Sequence, residues 1–245
     1  MIYFIGAGSG AVDLITVRGA EILKRSDIII YAGSLVNYEI IKTYANENCE
    51  IYDSSKMTLE EISEIFINGQ DKNLIISRLH SGDPSIYGAI REQINILNEK
   101  NIDFEIVPGV SSMFAAAAAL KTEYMIPEIS QTLIISRIEG RTPVPKNSKS
   151  EVLFLSAGMI DRACESLIND GFSPDTPAAI VYKASWPDEK IIRGTLETLP
   201  NLALGINKTA LILVGEFLNE NINTNSKLYD KNFSHGFRNN NNCIH

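Results

Sequence analysis

The chain has 245 residues, 44% apolar and 21% charged, a balance that supports one large domain or two modest ones and excludes disorder over most of the length. A net charge of −8 excludes a general nucleic-acid binder, which needs a basic face to displace counterions, and speaks against docking on anionic lipid. Cys49, Cys164 and Cys243 have no zinc-ligand spacing, the N-terminus reads as a first strand and not as a signal peptide, and no apolar run nears the ~18 residues of a spanning helix, so the expectation is a reduced, cytoplasmic protein without a resident metal.

In chain order, residues 2–5 are a short apolar strand, followed by the turn Gly6-Ala7-Gly8-Ser9-Gly10. Residues 16–25 read as a helix, with Ala20, Ile22 and Leu23 able to face a core. Residues 28–31 are a buried-type strand, broken by Ala32-Gly33-Ser34, and residues 37–45 are helical. A short strand at 50–52 precedes a helix that opens with a capping-box pattern, Thr58 as cap and Glu61 three residues on. Then come a strand at 74–79, a helix at 84–100 and a strand at 104–107. This alternation predicts a parallel α/β sheet.

After Leu120 the texture changes. Residues 123–130, with Pro127, read as a linker, and residues 139–150 as a loop rich in proline, glycine and basic side chains. Strands are expected at 132–136, 152–156, 178–182, 191–194 and 210–214, and helices at 160–169 and 196–205. The short gap between 178–182 and 191–194 predicts some antiparallel pairing. The fold class is therefore α/β in two lobes with a cleft between them. Residues 1–120 carry a parallel sheet, residues 121–235 a mixed one, and residues 236–245 form a polar, poorly ordered tail.

The chemistry sits in the loops after strands. The turn at 6–10 could approach a ligand or could be a tight strand-to-helix connection. A dinucleotide fingerprint asks for a glycine where Ala11 stands and an acidic residue where Ala32-Gly33-Ser34 stands, so the turn reading is favoured. In Ser81-Gly82-Asp83-Pro84-Ser85, aspartate followed by proline is a good helix start, yet Gly82 also lets a ligand reach the backbone. Pro108-Gly109-Val110-Ser111-Ser112 repeats the pattern at the next strand end. Three such loops lie along one carboxyl edge, where parallel α/β sheets bind ligands. Arg78, Arg137 and Arg141, with His80, are each compatible with a solvated surface, and together could meet a polycarboxylate. Trp186 is either a hairpin-tip residue or a platform for a flat ligand.

At these residues the chain resembles the tetrapyrrole methylases. The matching pieces are 5–10, 31–36, 78–88, 107–112, Gln131-Thr132, 140–145, 184–189, 214–216 and 226–230, and the pieces 31–36, 141–145 and 185–189 look like the branch acting at C-11 of precorrin-4 or its cobalt form. The resemblance implies a homodimer that binds S-adenosyl-L-methionine in the cleft and methylates a corrin-pathway tetrapyrrole. It implies cofactor contacts at Ser81, Gly82, Asp83, Ile86, Tyr87, Ser111 and Ser112, and at Thr132, Leu155, Ser156, Tyr182, Ala184, Thr209, Ala210 and Leu211. Ser9, Gly10, Arg78 and Arg141 fall to the substrate side. Related uroporphyrinogen methylases carry an aspartate after the second strand; Ala32-Gly33-Ser34 stands there, and no general base is carried over. The competing readings are another ring position, a non-catalytic tetrapyrrole binder and a nicotinamide oxidoreductase.

Overall fold

Short isoleucine-rich strands, buried on both faces almost without interruption, build the first sheet. In the computed structural model, which describes residues 1–138, 145–146, 148–219, 222, 233–234 and 236, the chain divides into two compact units. The first holds Met1–Ala119 and Val181–Lys190, the second Leu120–Ile180 and Ile191–His245.

The first unit runs β1 (Ile2–Gly6), α1 (Val17–Leu23), β2 (Ile28–Tyr31), α2 (Tyr38–Tyr44), β3 (Glu50–Asp53), α3 (Leu59–Asp71), β4 (Ile76–His80), α4 (Arg91–Glu99) and β5 (Phe104–Val107), and α5 (Ser112–Leu120) carries the chain to the boundary. The strand order is β3-β2-β4-β1-β5, and every neighbouring pair is parallel. Alternation splits the strand side chains between two cores. Ile5, Ile29 and Leu79 pack with Ala20, Leu23, Ile40 and Ile41 of α1 and α2. Ile2, Phe4, Ile28, Ile30 and Ile76 pack with Ile62 and Phe66 of α3 and with Ile94 and Leu97 of α4.

Local signals set several of these boundaries. The Thr16 hydroxyl accepts from the Gly19 amide and starts α1. The capping box of α3 is closed at both ends: Glu61 N–H donates to Thr58 Oγ1 at 3.3 Å, and Thr58 N–H to Glu61 Oε2 at 2.7 Å. One expectation fails. The helix anticipated from Pro84 begins only at Arg91, because Tyr87 and Ala89 stand at positive φ, 54° and 49°, where an α-helix cannot run.

The second unit runs β6 (Ile134–Ser136), β7 (Ser150–Leu153), α6 (Ile160–Asn169), β8 (Pro177–Tyr182), β9 (Lys190–Thr195), α7 (Leu199–Leu202) and β10 (Ala210–Gly215). Its sheet order is β6-β7-β10-β8-β9, with β6–β7 parallel and β7–β10 antiparallel, hence mixed. Ala163, Cys164 and Leu167 line the apolar face of α6 against Leu153, Ala178, Ile180 and Ile212. Glu151 is also buried, and burial pushes its carboxyl up to about 7, with Ser136 its hydrogen-bond donor. No helix among the described residues is long and apolar enough to cross a membrane, and no group of His, Cys, Asp and Glu among them could hold a metal.

Candidate functional site

Three loops at the carboxyl ends of β1, β4 and β5 interlock through glycines. A Cβ on Gly6 would lie 2.5 Å from Gly109 Cα and 2.6 Å from Gly82 O, and one on Gly109 would lie 2.2 Å from Gly82 O. Only glycine permits backbones to pass this closely. Gly8 and Gly82 exchange two amide bonds, at 3.2 and 2.8 Å, which ties the β1 loop to the β4 loop.

Asp83 ties the β4 loop to the β5 loop. Its Oδ1 accepts from the Ser85 amide at 2.8 Å and from the Ser85 hydroxyl, and its Oδ2 accepts from the Gly109 amide at 2.8 Å. Burial drives the carboxyl upward, but these donors outweigh it and hold it below its ordinary value. Gly82 stands at φ +64°, and a Cβ there would come no nearer than ordinary contact with the Ser111–Ser112 backbone, 3.4 Å from Ser111 Cα and 3.5 Å from Ser112 N. Ser111 is buried beside it. The segment 84–90 then follows a path of its own: a Cβ on Gly88 would strike Pro84 O at 2.2 Å, and Tyr87 is exposed despite its aromatic ring. Ser81, Gly82, Asp83, Ile86, Tyr87, Ser111 and Ser112 therefore belong to one loop cluster.

The turn at 181–190 supplies a second piece of the first unit. Trp186 Nε1–H donates to Ser9 O at 3.1 Å, and the indole occupies the place of a Gly10 side chain: a Cβ there would lie 1.8 Å from Nε1. The Ser185 hydroxyl pairs with Ser9 Oγ at 2.9 Å and accepts from the Ala11 amide at 3.0 Å. Asn37 Nδ2–H donates to Gly10 O at 2.9 Å. Trp186 is thus a turn residue keyed into the glycine loop, with Lys183 Nζ 5.0 Å from its ring centroid. Tyr182 is half-buried and Ala184 buried in the same turn.

Arg78 and His80 face the α3–α4 core, 7% and 4% exposed. The guanidinium donates through Nη1 to Ile30 O and through Nε to Gln93 Oε1, both at 3.3 Å. Burial lowers Arg78 to about 10, so it stays protonated at neutral pH. Burial, and then the nearby Arg78 charge, lower His80 to about 3, so it stays neutral. Arg137 lies exposed in the second unit, and Arg141 lies outside the described residues.

Sequence reasoning missed Asp53. Its Oδ1 accepts from the Gly33 amide at 3.0 Å, and its carboxylate lies where a side chain at position 33 would begin, 2.3 Å from the ideal Cβ. The strand tip lacking its own aspartate thus meets a carboxylate from β3. No local signal could have revealed this, since parallel neighbours need not be near in sequence.

In the second unit, Leu155 stands at φ 53° with its apolar side chain 51% exposed, and Thr209 stands at φ 53° before Ala210 and the buried Leu211. Exposed leucine at positive φ is costly and clusters at ligand sites. The Ser156 hydroxyl is committed, donating to Phe154 O at 2.7 Å and accepting from the Ile138 amide at 3.0 Å. Thr132 is exposed and its amide donates to Ser130 Oγ.

An α/β protein whose parallel sheet presents a glycine-gated loop cluster is the class this geometry defines. The family model of tetrapyrrole (corrin/porphyrin) methylases matches residues 1–200, and the chain belongs to that family. A cobalt-precorrin-4 C(11)-methyltransferase of Methanocaldococcus jannaschii is 49% identical over 97% of this chain and 95% of its own. A precorrin-4 C(11)-methyltransferase of Pseudomonas aeruginosa is 39% identical over 97% and 98%. Among solved structures, a cobalt precorrin-4 methyltransferase described as a cobalamin biosynthetic enzyme superposes with a TM-score of 0.83 at 43% identity, covering 89% of this chain and 95% of that one.

Proposed function

We propose that this chain is an S-adenosyl-L-methionine-dependent C-methyltransferase acting at C-11 of precorrin-4 in corrin biosynthesis. The observation that carries this is the 49% identity, nearly end to end, with a relative of that name. Identity is higher to the relative named for the cobalt substrate, 49% against 39%, which favours the cobalt form. The cobalt then belongs to the substrate.

The loop cluster of the first unit fits the cofactor. Gly82 leaves its backbone approachable, the 81–83 and 111–112 loops offer polar groups, and the exposed Tyr87 offers apolar surface. When bound, the cofactor supplies an electrophilic sulfonium methyl. Thr132, Leu155, Ser156, Tyr182, Ala184, Thr209, Ala210 and Leu211 are proposed as further contacts on the family resemblance, and Leu155 and Thr209 have the strained backbone expected of such positions. Ser9 and Gly10 are proposed for the substrate side, with Trp186 fixing their loop. Arg141 is proposed for a substrate carboxylate, and its replacement is expected to raise the substrate KM.

The chain's task is to hold the donor and the nucleophilic ring carbon in line and to exclude water. Such positioning can lower a barrier by roughly 7–11 kcal/mol without a strong base. Asp83 serves binding through the loop geometry, since both of its carboxylate oxygens are engaged by loop donors. A nicotinamide reading is disfavoured because the glycine loop is packed under Trp186. Assembly as a homodimer and a cytoplasmic location complete the proposal, and sedimentation of the purified chain tests the first.

The deciding experiment incubates the protein with adenosylmethionine and enzymatically made precorrin-4 or its cobalt form. Mass spectrometry and carbon-13 NMR should report one added methyl at C-11. A methyl at another carbon would reassign the ring position, and binding without turnover would make the chain a tetrapyrrole carrier.

A further inference from the structure

A protonated guanidinium in a protein core is costly unless its donors are used. Among the described residues no carboxylate pairs with Arg78, which is 7% exposed. What it holds instead is Gln93, a 4% exposed residue on the first turn of α4. Arginine can only donate, so the amide oxygen of Gln93 must face it, and the amide nitrogen must point the other way. That nitrogen donates to Ala89 O at 3.0 Å. Ala89 and Tyr87 are the two positive-φ residues that keep α4 from starting at Pro84. A continuous chain of buried donors therefore runs from Ile30 O on β2, through Arg78 on β4 and Gln93 on α4, to the strained loop.

We propose that Arg78 and Gln93 are positioning residues for the cofactor loop: the Arg78–Gln93–Ala89 chain holds residues 86–90 in the conformation that receives adenosylmethionine. The inference rests on the methyltransferase reading above. It moves Arg78 from the substrate's carboxylates to the cofactor's loop, because its donors are turned to internal acceptors. Strain at two consecutive-but-one residues persists only where the surroundings over-determine it. Gln93 connects Ala89 to Arg78 on the rigid sheet.

Gln93→Glu separates positioning from mere stability. A carboxylate at 93 still accepts from Arg78 and adds an ion pair, but it offers Ala89 O an acceptor instead of a donor. The variant should melt at or above the wild-type temperature. It should nevertheless exchange the amides of residues 86–90 faster, bind adenosylhomocysteine about tenfold more weakly, and show a raised KM for adenosylmethionine with the tetrapyrrole KM unchanged, the scale of one lost hydrogen bond. Gln93→Leu should weaken binding similarly, and Arg78→Lys should recover part of what Arg78→Met loses. Wild-type loop exchange and wild-type adenosylhomocysteine affinity in Gln93→Glu would overturn the proposal, as would faster exchange with unchanged affinity. If the wild-type protein itself bound no adenosylhomocysteine, the methyltransferase reading would fall with the cofactor half of this one, while loop exchange in Gln93→Glu would still decide whether the chain of donors holds the loop.

Discussion

Two segments of the first unit look alike in sequence and fold differently. Thr58 and Asp83 each follow a strand and each stand before residues that suit a first helical turn. Thr58 caps α3 at once, with its box closed by Glu61. Asp83 caps nothing regular: its carboxylate bonds Ser85 and reaches across to Gly109, and α4 waits until Arg91. The first carboxylate–hydroxyl set works within one helix, whereas the second fastens two strand ends together. A local signal is obeyed where nothing competes and is overruled where neighbouring loops need the same group.

The largest effect that separates the two is expected from Asp83→Ala. It frees Gly109 and Ser85 together, and adenosylhomocysteine affinity measured by calorimetry should fall about a hundredfold, the scale of losing charge-assisted hydrogen bonds. Unchanged affinity would reduce Asp83 to an ordinary turn residue. Acid sharpens the contrast next. Asp83 is held below its ordinary 3.8, so the stability it adds is present above that value and is lost as pH falls beneath it. The melting-temperature gap between the wild type and Asp83→Asn should therefore close below that value and persist above it. The smallest effect is expected from Thr58→Ala, a loss of about 1 kcal/mol of stability in denaturant titration. Cofactor affinity should not move, and a change there would break the distinction between the two segments.

Much of the frame is legible in the sequence for physical reasons. Helix α6 spans residues 160–169 as its apolar period requires, and β5 spans 104–107. Antiparallel pairing is present in the second unit between β7 and β10, and β8 and β9, the strands separated by the short gap, are sheet neighbours. The site was harder to read. Asp83, Gly82 and the serines were visible as a cluster because they lie at strand ends. The positive φ at Tyr87 and Ala89 was not, because Asp-Pro locally favours a helix and nothing in the nearby sequence marks the departure from it. The burial of Arg78 was not legible either, because a charged strand residue ordinarily faces water or a charged ligand, the two places the sequence offered for it. Asp53 beside Gly33 and Trp186 beside Gly10 join residues far apart in the chain, 20 and 176 positions in the two cases.

That last pairing bears on how the protein is made. The first unit is not finished when its sheet is: residues 181–190 return to it after the first stretch of the second unit, Leu120–Ile180, has been synthesised. A nascent chain with β1 through β5 outside the ribosome holds every strand of the sheet, yet its glycine loop still lacks Trp186 and Ser185. Contacts of such long sequence separation form late. The loop that carries Ser9 and Gly10 should accordingly acquire its final shape only near the end of translation, and a fragment ending at residue 120 should keep the sheet while leaving that loop unset.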